Sequence, residues 1–131
     1  ACGDEFICSI DASGWFKFGK ETSNNEDHWI ARDVGDLSDK SEVWAYFKHK
    51  RDQFDGDRMD WVGFSVWNGA SWIEVERFEK HNDAGNHCSQ YYDLTPYKNA
   101  VPFKLKFQTN NSSDMKNGDK LLLDDIAVFA W

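Results

Sequence analysis

The stretch from Asp60 to Phe78, which reads DWVGFSVW, NGAS, WIEVERF, constrains the fold more than any other part of the chain. Val62, Phe64 and Val66 alternate with Trp61, Gly63, Ser65 and Trp67. Period-two alternation of β-branched and aromatic residues marks a strand with two different faces. Asn68-Gly69 can adopt the positive φ angles of a tight hairpin turn. The run that follows puts Ile73 and Val75 on one side and Trp72, Glu74 and Glu76 on the other. The expected unit is a β-hairpin with an aliphatic face and a second face that carries Trp61, Trp67 and Trp72. An isolated hairpin is marginal in water, so the rest of the chain must supply partner strands.

The remaining segments read as those partners. DEFICSI (residues 4–10) is a first strand, and Trp15, Phe16 and Phe18 begin a second. KETSNNED is a polar loop. His28 to Ala31 restart a strand, and EVWAYFKH (42–49) is apolar on both faces, as in a central strand covered on both sides. Cys88 to Leu94 carries Tyr91 and Tyr92. Phe103, Leu105 and Phe107 alternate with Lys104, Lys106 and Gln108, and KLLLDDIAVFAW closes the chain. Both prolines sit at strand ends or turns, where a missing N–H does no harm. About eight or nine strands at spacings of roughly 8–15 residues, without an amphipathic helix, predict an antiparallel sandwich or barrel in one domain spanning 1–131.

The 131 residues are enough to bury a core, and the net charge is −8. That charge argues against nucleic acid or an anionic membrane as partner, because both require a basic footprint. No apolar run approaches the ~18 residues that a membrane span needs. Seven tryptophans are many for a domain of this size, and they divide between two uses, a large aromatic core and surface platforms. The start at Ala1 and the lack of a leader pattern suggest a processed or excised extracellular module. Cys2, Cys8 and Cys88 are an odd number. One internal disulfide is expected, Cys8–Cys88 ahead of Cys2–Cys88, unless all three are reduced. Asn110 and Asn111 each begin an N-x-Ser sequon, relevant if the source is a eukaryotic secretory protein.

Five motifs occur in one order: DLSDKSEVWAYFKHK, WVGFSVWNGASWIEVERF, YYDLTPY, VPFKLKFQTNNSSD and GDKLLLDDIAVFAW. Together they resemble the MAM-like jelly-roll modules of extracellular proteins, whose relatives include carbohydrate-binding modules. The opening, CGDEFICSIDASGW followed by EDHWIARD, is similar to a degraded MAM opening. Ile7 stands where those domains place an acid, and the cysteine spacing differs. The resemblance implies an all-β, antiparallel jelly-roll β-sandwich that is secreted and non-catalytic.

It also implies a structural Ca²⁺ between the first strand, the loop before the second tryptophan and the last strand. By position the ligands would come from Asp4 or Glu5, from Asn25, Glu26 or Asp27, and from Asp125. Adjacent strand residues point to opposite faces, so one of Asp124 and Asp125 should face inward or towards the sandwich edge. A carboxylate among Leu and Ile is costly unless it is paired or metal-bound, and Ca²⁺ takes about six to eight hard oxygens. The alternative is that these acids are solvated and Asp125 accepts backbone N–H bonds.

The second candidate site is a sugar platform. A pyranose ring presents C–H groups that pack on an indole face, while carboxylates, amides and ammonium groups bond its hydroxyls. Trp61, Trp67 and Trp72 would stack, and Glu74, Glu76, Lys104, Lys106 and Gln108 would hydrogen-bond if their strands neighbour the hairpin. The alternative for Trp72 is a place in the core. The polar segments 81–87 and 110–119 could hold a rim site or be ordinary loops, and zinc at His81, His87 and Cys88 is disfavoured because neighbouring strand residues diverge. No G-x-S-x-G elbow, phosphate loop or metalloprotease helix motif occurs. The expectation is therefore a carbohydrate-binding module or lectin for a glycan or polysaccharide. The alternative is a MAM-type adhesion domain that binds protein, with a homodimer as one form.

Overall fold

The computed structural model describes residues 6–10, 16–20, 28–52, 54, 60–79, 88–111, 115 and 119–131. Nine strands run through them: β1 (Phe6–Ile10), β2 (Phe16–Lys20), β3 (Trp29–Gly35), β4 (Val43–Asp52), β5 (Trp61–Trp67), β6 (Trp72–Glu79), β7 (Cys88–Asp93), β8 (Phe103–Thr109) and β9 (Lys120–Ala130). A 3₁₀ turn at Thr95–Tyr97 is the only helical element among the described residues. The strands form a five-stranded sheet in the order β1-β2-β9-β4-β7 and a four-stranded sheet in the order β3-β8-β5-β6. Every strand pairing among the described residues is antiparallel. Only β1–β2 and β5–β6 are neighbours both in sequence and in a sheet; the other connections cross from sheet to sheet. This is a jelly-roll β-sandwich.

Alternation builds the interior. Val62, Phe64 and Val66 of β5, and Phe103, Leu105 and Phe107 of β8, point inward and meet Val43, Ala45 and Phe47 of β4. Phe47 lies at the centre, with ring centroids 5.0 Å from Phe64 and 5.3 Å from both Tyr92 and Phe107. Truncating a phenylalanine in such a setting costs roughly 3–5 kcal/mol. One polar feature joins the end of β8 to the start of β3: His28 N–H donates to Thr109 Oγ1 at 2.9 Å, and Thr109 N–H donates to the His28 carbonyl at 2.8 Å.

The hairpin forms where expected, but its turn works differently. Trp67 pairs directly with Trp72, which leaves Asn68–Ser71 as a four-residue loop. Gly69 alone of the loop takes a positive φ, +100°, and the Asn68 Oδ1 accepts the N–H groups of Ala70 and Ser71, both at 2.8 Å. Asparagine acts here through its side chain, as in an Asx turn.

Three expectations are corrected. First, β4 is central within its sheet but is not covered on both sides. Trp44 and Tyr46 lie half-buried on the outer face beside Tyr91, which is 64% exposed, and Phe129. Second, Asp124 and Asp125 do not take opposite faces. The register between β4 and β9 slips between Tyr46 and Lys48, and Asp125 adopts φ +51°. Asp124 shares the outer face with Lys48, and the Asp125 carboxylate is turned to the same side, 2.7 Å from the Lys48 ammonium. That ion pair holds the Lys48 ammonium above its ordinary pKa. Third, Cys8 and Cys88 lie on β1 and β7, the two edges of the five-stranded sheet, with β2, β9 and β4 between them. Three intervening strands place the backbones roughly 19 Å apart, and a disulfide spans at most about 7 Å between Cα atoms. The Cys8–Cys88 bond therefore does not form; Cys2 lies outside the described residues.

Candidate functional site: the outer face of the four-stranded sheet

The register across the four-stranded sheet places the outward side chains in rows. Trp29, Gln108, Gly63 and Arg77 form one row across β3, β8, β5 and β6, and Ala31, Lys106, Ser65 and Glu74 form the next. Asp33 pairs with Lys104 at one end, and Trp67 pairs with Trp72. Beyond the first row, Trp61 pairs with Glu79. Ala31, Gly63 and Ser65 are the small residues of these rows, and Gly63 and Ser65 are buried beneath their neighbours. Trp61 and Trp67 are six residues apart on β5, a separation of about 20 Å, so the face is longer than a single sugar ring.

Of the eight residues expected to contact a ligand, seven lie on this one face: Trp61, Trp67, Trp72, Glu74, Lys104, Lys106 and Gln108. The reason is that β8 hydrogen-bonds to β5 and so brings its lysines beside the hairpin. Trp72 does not enter the core: it is half-buried and meets Trp67 edge to face at 5.5 Å. Lys106 Nζ lies 4.5 Å from the Trp72 ring centroid, and Lys104 Nζ lies 5.4 Å from that of Trp67. Such cation–π contacts contribute about 0.5–1 kcal/mol at exposed sites. None of the described tryptophans is fully buried, and Trp29 and Trp131 are 56% and 60% exposed.

Glu76 is not on this face. The β5–β6 register shifts between Phe64 and Ser65, so that Ser65 pairs with Glu74 and Phe64 with Glu76, leaving Val75 as the extra residue of a bulge. A bulge reverses the facing of every residue beyond it. Glu76 thus moves to the inner side, where its charge raises the pKa of the Tyr92 hydroxyl, secondary to the effect of burial. Arg77 takes the outward place. Its guanidinium carbon lies 3.9 Å from the Trp61 ring centroid, and its Nε donates to Glu74 Oε1 at 3.0 Å. Gly63 makes room for this unit: a Cβ there would come within 2.6 Å of Glu74 Oε1.

Sequence reasoning missed two residues of the face. Arg77 was hidden by the bulge. Trp29 was legible, because EDHWIARD alternates His28 and Ile30 with Trp29 and Ala31. Of the expected calcium ligands, Asp4, Glu5, Asn25 and Asp27, with Glu26, lie outside the described residues, as does segment 81–87. Asp125 is exposed and paired with Lys48. Among the described residues no group of three or more His, Cys, Asp or Glu is placed to hold a metal. Asn110 is buried, 4% exposed, and its N–H donates to the Trp61 carbonyl, so that sequon is closed; Asn111 is exposed.

Fold and face together define a jelly roll with an aromatic-rich, polar-lined outer sheet, and known structures share its fold. No protein-family model matches the sequence, and no curated protein does. Among solved structures the chain is similar to a family 29 carbohydrate-binding module mutant complexed with mannohexaose. That match has a TM-score of 0.57 and 17% identity, covering 99% of this chain and 85% of the other. It is similar to a family 61 carbohydrate-binding module in complex with β-1,4-galactotriose, with TM-score 0.51 and 12% identity over 89% of this chain and 70% of the other. It is also similar to part of the enzymatically active domain of bacteriophage CBA120 tailspike protein 4, with TM-score 0.58 and 7% identity over all of this chain but 17% of that one. At these identities the likeness establishes the fold, which is the jelly roll of carbohydrate-binding modules.

Proposed function

We propose that this protein is a non-catalytic carbohydrate-binding module, and that the outer face of its four-stranded sheet takes a segment of a glycan or polysaccharide chain. One observation carries the reading: Trp29, Trp61, Trp67 and Trp72 share that face with Lys104, Lys106, Gln108, Glu74 and Arg77. Stacking surfaces interleaved with fixed donors and acceptors are what a sugar chain needs, since each ring offers apolar C–H patches and hydroxyls together. Neighbours of the same fold that were solved with bound oligosaccharides support it. The test is a glycan array followed by calorimetry on wild type and Trp67→Ala. Loss of a central aromatic contact should weaken binding by roughly 2 kcal/mol or more, about 30-fold, with the circular-dichroism spectrum unchanged. Full binding by Trp67→Ala would rule out this face.

A protein-contact module of the adhesion type is the second reading. It draws on the outer face of the other sheet, where Tyr91 and Phe129 are exposed and Tyr91 packs on Tyr46 at 4.7 Å. A concentration-dependent dimer abolished by Tyr91→Ala, and untouched by Trp67→Ala, would favour it.

We further propose a structural Ca²⁺ at the β9 bulge. The bulge gathers the Asp124 and Asp125 carboxylates on one side of the sheet, a fair start for a hard cation. The ion would draw its remaining oxygens from segments 4–5 and 25–27 and would displace Lys48 from Asp125.

A further inference from the structure

Arg77 has a position that a simple aromatic platform does not require. Its guanidinium covers Trp61 at 3.9 Å, so that indole face meets protein rather than solvent. Glu74 clamps it from the side at 3.0 Å through Nε, and the clamp lies over the bare backbone of Gly63. Three features are therefore tuned to one group: the bulge that turns Arg77 outward, the glycine that leaves room for Glu74, and the ring beneath. The Arg77 side chain remains 42% exposed. With Nε engaged by Glu74, the two terminal NH₂ groups carry the remaining donors.

From this we infer that Arg77, not the Trp61 ring, is the ligand-facing and specificity-determining group at that end of the site, and that it reads adjacent hydroxyls of a neutral sugar chain. The inference rests on the glycan-binding reading of this face. A planar fork of N–H donors matches two neighbouring oxygens in a fixed geometry that a rotating ammonium does not supply. Two observations favour neutral hydroxyls over a carboxylate. Glu74 already counters the Arg77 charge at 3.0 Å. Over the whole face, register sets Arg77, Lys104 and Lys106 against Asp33, Glu74 and Glu79, so a chain of net charge −8 has a balanced surface here without a cationic excess. Trp61 then acts as a positioning residue that holds the fork flat. The site has two unlike halves, with Trp67 and Trp72 stacking at one end and Arg77 hydrogen-bonding at the other.

Isothermal titration with mannohexaose, cellohexaose and oligogalacturonate tests this, on wild type and on the Arg77→Ala, Arg77→Lys, Trp61→Phe and Trp67→Ala variants, with thermal melts as the folding control. The expected result is tighter binding of a neutral hexasaccharide than of oligogalacturonate. Arg77→Ala should lose about tenfold or more, as when hydrogen bonds to a charged donor are removed. Arg77→Lys should fail to restore it, and Trp61→Phe should stay within about threefold, since phenylalanine still offers the fork a ring to rest on. Arg77→Ala binding as well as wild type, or better, would overturn the inference, because uncovering Trp61 would then have freed the true stacking surface. Restoration by Arg77→Lys would refute the fork, and preference for oligogalacturonate would refute the neutral ligand. Loss in Trp67→Ala with full retention in Arg77→Ala sinks this inference alone, whereas a wild type that binds none of the three sinks it together with the reading beneath it.

Discussion

Gly63→Ala separates stability from binding more sharply than any other single change. A methyl group at that position would meet Glu74 Oε1 at 2.6 Å, and its next contact, Trp61 Cζ3, is at an ordinary 3.5 Å. The atom that must move is the end of a flexible side chain, not backbone, so the strand itself is not forced apart. When Glu74 swings away, the Glu74–Arg77 ion pair is lost. Its side chains are 39% and 42% exposed, so its worth is at most about 0.2–1 kcal/mol. Loosening Arg77 from Trp61 costs about 0.5–1 kcal/mol more. Against this, replacing glycine by alanine within a strand recovers roughly 0.5–1 kcal/mol of backbone entropy. These terms nearly cancel, and the melting temperature should shift by less than about 5 °C. Affinity for a neutral hexasaccharide should nevertheless fall about threefold to tenfold, because the fork loses its clamp. Differential scanning calorimetry and isothermal titration on the same preparation measure both. A drop in melting temperature beyond about 10 °C would show that backbone, not carboxylate, gives way. Unchanged affinity would show that the Glu74–Arg77 unit has no part in binding.

Two further outcomes follow from the core and from the proposed metal. Burial, with help from the Glu76 charge, pushes the Tyr92 hydroxyl well above the ordinary tyrosine range, and among the described residues that hydroxyl finds no hydrogen-bond partner. The folded chain therefore holds this proton more tightly than the unfolded one, so its contribution is intact below about pH 10 and declines above it as the unfolded state ionises. Tyr92→Phe should remove that alkaline decline and, by deleting an unmatched buried polar group, raise stability at neutral pH by about 1 kcal/mol; urea melts at neutral and alkaline pH decide, and a destabilised variant would refute it. Chelation with EGTA should lower the melting temperature by a few degrees if Ca²⁺ joins the β9 bulge to the N-terminal segment, since a ligand bound only to the folded state stabilises it; an unchanged melt removes the ion.

How much of this could be read from residues alone depends on whether each feature is local. The alternation in β5 and β8 forces Val62, Phe64, Val66, Leu105 and Phe107 inward, and by the same count it forces Trp61, Trp67, Lys104 and Lys106 out. That count survives any reasonable strand order, so most of the face was visible. Features that depend on register were not. The extra residue at Val75 exchanges the facings of Glu76 and Arg77, and no propensity in WIEVERF marks it. Asp125 in a left-handed conformation undoes the expected opposition with Asp124 in the same way. The exclusion of Cys8–Cys88 needed the strand order itself, because sequence separation does not reveal which strands lie at opposite edges. The expected jelly-roll β-sandwich is the architecture found, and the MAM type of the resemblance is not shown.

The place of β9 has a consequence for biogenesis. It follows the other described strands in chain order, yet it is inserted in the middle of its sheet, between β2 and β4. Until those residues leave the ribosome, β1–β2 and β4–β7 are two separate ribbons, each with a vacant edge that β9 alone is shaped to fill. Non-local pairing of this kind is slow and leaves sticky edges uncovered meanwhile. The nascent chain should therefore depend on chaperones until β9 has emerged, and removing this one strand would leave a sheet in halves rather than a slightly smaller domain.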